Sequence, residues 1–183
     1  MPDLKEWYNA DGLKVRFAGY QGQRRAFKNV FVEVETDGNF RELICNYDLS
    51  LIPASTSSFS TDRNNDGTVD GFNQGDFSLP ANAVVLSCDV YTQVAAAGGT
   101  SIEVGAYQEN GTAITRAGFV TATEGVLANL SANKRVIGVG TLLADANAET
   151  GIGANIGYPG IWCNGTFTAG TGKIVLRYVE ASS

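Results

Sequence analysis

The chain has 183 residues, 13 Lys and Arg against 19 Asp and Glu, no histidine, and a net charge of −6. A β domain of this length can bury a sizeable core, and 44% apolar residues with sparse charge exclude an intrinsically disordered chain. The acidic balance disfavours nonspecific nucleic-acid binding, which rests on counterion release by clustered cations, and no apolar run is long enough to span a bilayer. Neither nucleic acid nor membrane is therefore an expected partner.

The start, MPDLKEWYNADG, has neither the basic end nor the apolar stretch of a secretory signal, so a protein made and used without export is expected. Residues 13–17 (LKVRF) and 26–35 (AFKNVFVEVE) alternate as strands do, with Val30, Val32 and Val34 on one face. Thr36-Asp37-Gly38-Asn39 then reads as a hairpin turn into a strand from Phe40 to Tyr47. Lys5, Lys14, Arg16, Arg24, Arg25 and Lys28 gather near the start, while carboxylates dominate the remainder. That segregation marks either a polarised interface or a solvated strand face balanced by nearby acids.

From Pro53 to Gly75 the chain is rich in Ser, Thr, Asn, Asp and Gly and reads as a loop, long for a compact domain. Within it, Asp62-Arg63-Asn64-Asn65-Asp66-Gly67-Thr68-Val69-Asp70 places oxygen side chains at alternate positions, a glycine for the sharp turn and a hydrophobic residue after it. Asp62, Asn64, Asp66, the Thr68 carbonyl and Asp70 would supply the hard oxygens calcium needs. The loop resembles those of dockerins and thrombospondin-type calcium repeats, without their flanking helices or repetition. Asn73 stands where the bidentate carboxylate belongs, and Asp76 lies three residues further on. Two readings stand: a calcium site, or an Asx-turn loop without metal.

After Pro80 the alternation is clearest. Val84, Leu86, Cys88 and Val90 point one way and Val85, Ser87, Asp89 and Tyr91 the other, and Ile102, Val104 and Ala106 repeat the pattern. Turn signals follow at Gly98-Gly99, Asn110-Gly111, Gly151 to Gly157, Asn164-Gly165 and Gly170 to Gly172. Thr123 to Leu130 has room for a helical turn or two, weakened by Gly125. The last strand, Lys173 to Glu180, buries either Ile174, Leu176 and Tyr178 or Val175 and Val179. Short strands at this spacing predict an all-β fold, a sandwich or a jelly roll.

Chemistry is scarce on this framework. Without histidine there is no Ser-His-Asp or Cys-His nucleophile, no imidazole metal ligand and no imidazole base. Glu103, Glu109, Glu124 and Glu149 fall on turns or outward strand positions with no recognisable pairing, so no glycosidase-type carboxylate pair is evident. The glycines from Gly151 to Gly157 lack the strand–loop–helix unit of a phosphate loop. Cys45, Cys88 and Cys163 each sit inside a predicted strand, as buried thiols or as one disulfide plus a free thiol, with no zinc spacing. Trp7, Tyr8, Tyr20, Tyr158 and Trp162 are either core and sheet residues or a stacking platform for sugar or nucleic acid. The expectation is a protein that is not an enzyme.

The string FSLPANAVVLSCDVYTQVAAAGGTSIEVGAYQENGTAITRAGFV, then VIGVGTLL, then FTAGTGKIVLRYVE, resembles a recurrent β-sandwich domain of tailed-bacteriophage virion proteins. There an LPA phrase opens a strand, a GTS-x-x-VG phrase occupies a second, a GTAI phrase makes a turn, and a TAGKIVL-like strand ends the domain. The resemblance covers Phe77 to Glu180 and implies a head decoration or minor capsid protein with an antiparallel jelly-roll β-sandwich. It implies one domain over residues 1–183: an amino-terminal arm with added strands (1–52), a loop or insertion (53–76) and the jelly-roll core (77–183). The implied partner is the phage major capsid protein, the implied state a homotrimer, and the implied place the capsid exterior after assembly in the host cytoplasm. Trp7, Tyr8, Arg16, Arg24, Arg25 and Lys28 are the candidate capsid contacts. No cofactor beyond calcium is expected. The alternative function is a carbohydrate- or receptor-binding module of a phage fibre, using Tyr158, Trp162 or the loop from Asp62 to Asp76.

Overall fold

The computed structural model describes residues 6–8, 14–16, 29, 31–34, 40–58, 79–108, 112–143 and 157–179. Near the start, β1 (Glu6–Tyr8) and β2 (Lys14–Arg16) form a separate antiparallel pair, with Glu6 opposite Arg16 and Trp7 opposite Val15. The other strands are β3 (Phe31–Val34), β4 (Phe40–Asp48), β5 (Thr56–Ser57), β6 (Val84–Gly98), β7 (Ser101–Tyr107), β8 (Ala113–Val120), β9 (Arg135–Ile137), β10 (Tyr158–Asn164) and β11 (Phe167–Val179). They form a five-stranded sheet in the order β3-β4-β11-β6-β9 and a four-stranded sheet in the order β5-β10-β7-β8. Among the described residues there is no α-helix, only 3-10 turns at Leu49–Leu51 and Leu127–Asn129.

The pairing has a simple generator. β7 pairs with β8, β6 with β9, β5 with β10 and β4 with β11, all antiparallel, as in one long hairpin whose tip lies between β7 and β8. Rolling that hairpin up adds the contacts of β10 with β7 and of β11 with β6. Two sheets of alternating strands result, which is the jelly-roll β-sandwich expected from the resemblance. β3 then extends one edge by pairing with β4, Phe31 opposite Cys45 and Val34 opposite Glu42. The turn read at residues 36–39 lies outside the described residues.

The core lies between the sheets, where Leu43, Cys45 and Tyr47 of β4, Val104 and Ala106 of β7, Phe119 of β8 and Ile161 of β10 are buried. In β11 the buried set is Ile174, Leu176 and Tyr178, which settles the choice left by the alternation. Phe31 of β3 is also buried in this core. The Tyr47 hydroxyl, inside this core, donates to Thr92 Oγ1 at 3.1 Å. All three cysteines are buried and free, so the thiol reading holds and the disulfide does not form.

Three expectations are corrected. Alternation read straight through β6 groups Leu86 with Cys88 and Val90, yet Val85 is buried and Leu86 is 38% exposed. The register shift between Arg177 and Tyr178 leaves Leu86 as the extra residue of a β-bulge, which resets the faces. Gly170 to Gly172 is not a turn but an irregular stretch inside β11, where Gly170 takes a φ of +133°. Finally, Thr56–Ser57 interrupts the polar passage as a strand beside Cys163 and Trp162; residues 59–78 lie outside the described ones. The stretch read as one or two helical turns contains the 3-10 turn Leu127–Asn129.

One side of the sandwich is closed by the chain that follows β9. The Gly138 N–H donates to Cys88 O at 2.8 Å on β6, and the N–H groups of Gly140 and Leu142 donate to Phe119 O and Gly118 O on β8 at 3.1 and 2.8 Å. A Cβ at Gly140 would lie 2.3 Å from the Gly118 carbonyl atoms, and one at Gly138 would lie 2.2 Å from Phe119 O. Backbone meets backbone here, so only glycine fits. Gly140→Ala is expected to destabilise the fold by about 1–3 kcal/mol, the usual cost of overpacking, read as a lower urea midpoint; an unchanged midpoint would remove the seam from the account of closure.

Burial also sets a pH limit. It pushes up the Cys88 and Tyr107 groups, raises Tyr47, and lifts the Cys163 thiol to about 12. Since each folded value exceeds its unfolded one, the stabilisation is complete below the ordinary thiol value of 9.0 and is lost as pH rises toward the folded values. The melting temperature is expected to be flat from neutral pH to that point and to fall above it, and Cys163→Ala should shallow the fall.

Candidate functional site

Each sheet carries on its outer face a buried carboxylate paired with an arginine that lies near an aromatic ring. On the four-stranded sheet, the register sets Trp162 of β10 opposite Glu103 of β7, and Asn164 opposite Ser101. Glu103 is only 6% exposed although it points away from the core, because β8 is bulged where it passes β7. The Thr115 and Arg116 carbonyl oxygens would lie 2.1 and 2.3 Å from a Cβ at Gly105, so the absence of that side chain lets β8 close over β7. Arg116 comes from that stretch of β8. Its Nε lies 3.0 Å from Glu103 Oε2, and its guanidinium carbon 4.6 Å from the Trp162 ring centroid.

The remaining polar atoms are committed to one another. Trp162 Nε1 donates to Asn164 Oδ1 at 3.0 Å, while Asn164 Nδ2 donates to Ser101 Oγ and Glu103 Oε2, each at 3.0 Å. A carboxylate taken out of water needs such partners, since an unpaired buried charge costs several kcal/mol. Tyr107, buried beside this group, is pushed up by desolvation, with the Arg116 charge acting the other way.

On the five-stranded sheet, Asp89 of β6 is 1% exposed and accepts from Arg135 Nε and Nη2 at 3.0 and 2.8 Å, both on Oδ1. Its Oδ2 is buried without a hydrogen-bond partner among the described residues. Arg135 sits with its guanidinium carbon 5.8 Å from the Tyr91 ring centroid, and its pKa is raised first by the hydrogen bond to Asp89 and then by that residue's charge. Leu86, Tyr91, Ile137 and Val139, between 37% and 63% exposed, leave apolar surface along β6 and β9.

The residues singled out in the sequence are placed as follows. Trp7 and Tyr8 stand on β1 and Arg16 on β2, so one hairpin brings these three together, with Tyr8 opposite Lys14. Arg24, Arg25 and Lys28 lie outside the described residues, as do all five calcium candidates, Asp62, Asn64, Asp66, Thr68 and Asp70. Among the described residues no group of three or more His, Cys, Asp or Glu side chains is placed to hold a metal ion. Tyr158 and Trp162 share β10, separated by Gly160, but Arg116 lies over the Trp162 ring and Asn164 holds its N–H.

Glu103, read as an outward acid in no carboxylate pair, is the anionic centre of the Arg116 cluster. Arg116, Asn164 and Ser101 were not singled out, and the one hint was a carboxylate inside the otherwise small and apolar strand SIEVGAY. Glu124, also read as outside any carboxylate pair, closes the turn after β8 by accepting from the Thr121 N–H at 3.0 Å and from the Thr121 hydroxyl.

No protein-family model matches the chain, and no curated protein matches it. Among solved structures, a chain described as "Capsid of Ralstonia phage GP4" aligns over 83% of this chain and 92% of its own, at 16% identity and a TM-score of 0.45. The jelly roll stands on its own strand pairing.

The two partners of the Arg116–Glu103 pair are unequal. Arg116→Ala leaves a carboxylate 8% exposed with its counter-charge gone and is expected to cost about 1–3 kcal/mol. Glu103→Gln keeps hydrogen-bonding atoms and leaves a half-exposed arginine to water, so it should cost clearly less. Urea unfolding followed by Trp162 fluorescence checks the order; equal losses would show that Glu103 is not desolvated as described.

Proposed function

We propose that the chain is a non-enzymatic structural protein of a tailed-bacteriophage virion, one that decorates the outside of the capsid and stabilises it. The observation that carries this reading is where the virion-like phrases fall on the jelly roll. LPA leads through the turn at Asn82 into β6, GTSIEVG runs into β7, TAI begins β8, VIGVGTLL makes β9 and the closing seam, and FTAGTGKIVLRYV is β11. Every phrase thus marks an element of the rolled hairpin. The committed polar atoms around Glu103 and the raised, buried thiols support a scaffold rather than a reactive surface.

In this role the protein adds to the assembled shell and bridges neighbouring major capsid subunits. Binding only to the assembled lattice favours the intact shell by mass action, so occupancy raises the cost of rupture. The amino-terminal stretch, with Trp7, Tyr8, Arg16, Arg24, Arg25 and Lys28, is the proposed contact with an acidic capsid surface, and a trimer at local threefold positions is the proposed state. The loop from Asp62 to Asp70 is proposed to take calcium as a structural ion. The fibre-module alternative is disfavoured because the Trp162 ring face, its best sugar platform, is covered by Arg116.

The test is co-sedimentation of the purified protein with capsids of its own phage prepared without it, in calcium and in chelator. Saturable binding at a fixed ratio to capsid subunits is expected, with a large loss for the double variant Arg24→Glu and Arg25→Glu and an unchanged circular-dichroism spectrum. Absence of binding in both buffers would overturn decoration. Full occupancy by the double variant would overturn the assigned contact, and indifference to chelator would remove calcium.

A further inference from the structure

The chain around β9 has inverted polarity. From Arg135 to Thr141, exposure alternates residue by residue, but Val136, Gly138 and Gly140 face inward while Ile137 and Val139 face out, 57% and 63% exposed. Beyond Val136 the inner positions must be glycine, because backbone fills the space a Cβ would need, while Ile137 and Val139 turn branched apolar side chains to water. β9 is also the last strand of its sheet, with β6 on one side and no strand beyond it among the described residues.

The hydrogen-bond phase shows what the open side offers. Thr92 N–H donates to Lys134 O and Gly138 N–H donates to Cys88 O, so the even positions bond toward β6. The N–H and C=O groups of Arg135 and Ile137 therefore point the other way, toward the open edge. Such an edge is a template for another strand, and native proteins commonly protect it with charge, proline or a bulge. Here the edge carries Ile137 and Val139, and the nearest guanidinium, Arg135, is already paired with Asp89.

We propose that β9 pairs antiparallel with β9 of a second copy of this chain across a two-fold axis at Ile137. In that register each Ile137 faces its counterpart and each Arg135 faces Val139 of the other copy, so the outward backbone groups meet in hydrogen-bonded pairs. No like charges are opposed: Lys134 falls opposite Gly140 and Arg135 opposite Val139. Four branched apolar side chains, Ile137 and Val139 from each copy, gather on one face of the joined sheet, the cross-strand cluster that stabilises β pairing. The pairing goes beyond the virion reading and does not rest on it. Where copies also form trimers, it links two of them.

The geometry supplies its own test. Hydrogen-bonded antiparallel partners have Cα atoms about 5.5 Å apart, within the span of a disulfide. Ile137→Cys is expected to form a disulfide-linked pair of chains under mild oxidation, while Ala132→Cys, in the exposed turn before β9, is not; the native thiols are buried in both. By native mass spectrometry at micromolar protein, the wild type is expected as an even multiple of 19.3 kDa, and Ile137→Lys as half that mass with an unchanged circular-dichroism spectrum. A wild type with only odd copy numbers, cross-linking of Ile137→Cys no greater than that of Ala132→Cys, or a folded Ile137→Lys variant of undiminished mass would each overturn the proposal.

Discussion

Between β4 and β6 there is room for one strand, and β11 fills it with its backbone bonded on both sides. From Thr171 to Val179 it pairs with β4, and from Phe167 to Val179 with β6. Because the last strand in the chain lies at the centre of its sheet, the five-stranded layer is complete only when sequence-distant segments meet, and pairing of this kind is slow to form. The same strand places Ile174, Leu176 and Tyr178 in the core. Near Gly172 a Cβ would meet Tyr91 O at 2.0 Å, and the Tyr47 hydroxyl group lies close by. The irregular start of β11 is therefore a point of close approach between the β6 backbone, the central strand and Tyr47 of β4.

The buried carboxylate on the outside of each sheet is handled by the same chemistry. A carboxylate raised from a strand beneath an arginine is shielded by that arginine, and the guanidinium in turn rests near an aromatic ring. Such a pair gives little net stability against apolar residues of equal volume, but removing one partner is costly. Its value to a sandwich is positional. Glu103 ties β7 to β8 through Arg116 and to β10 through Asn164, while Asp89 ties β6 to β9 through Arg135. Both clusters sit where a strand pair is short or irregular, so the ionic contacts reinforce places where the backbone ladder is weakest.

Much of the strand layout was legible because period-two alternation and turn composition are local signals. The β6–β7 turn at Gly98-Gly99, the β10–β11 turn at Asn164-Gly165 and the three buried thiols were all read that way. Leu86 was misread because a bulge adds one residue without changing composition, and only the partner strand reveals it. Gly170 to Gly172 was misread because glycine serves a turn and a strand distortion equally well. The Arg116–Glu103 pairing left no more than the hint of a carboxylate within β7: it depends on a register shift between β7 and β8 and on a glycine opposite a backbone carbonyl, neither of which alters any short pattern. Of the proposed capsid contacts, the structure describes only the strand placement of Trp7, Tyr8 and Arg16.

The segment after β9 connects these themes, because the way the sandwich closes dictates what it exposes. To bond to β6 and β8 in turn, the chain must approach both backbones too closely for side chains, which requires Gly138 and Gly140 on the inner side. Glycine alone is a poor strand former, so the intervening positions must supply β propensity, and branched residues do so best. Those positions can only point outward. Ile137 and Val139 are thus exposed as a consequence of closure. A free monomer would carry that apolar edge as an aggregation hazard. A protein that works within a symmetric assembly can bury it against a neighbour, so the geometry that completes the fold also favours association.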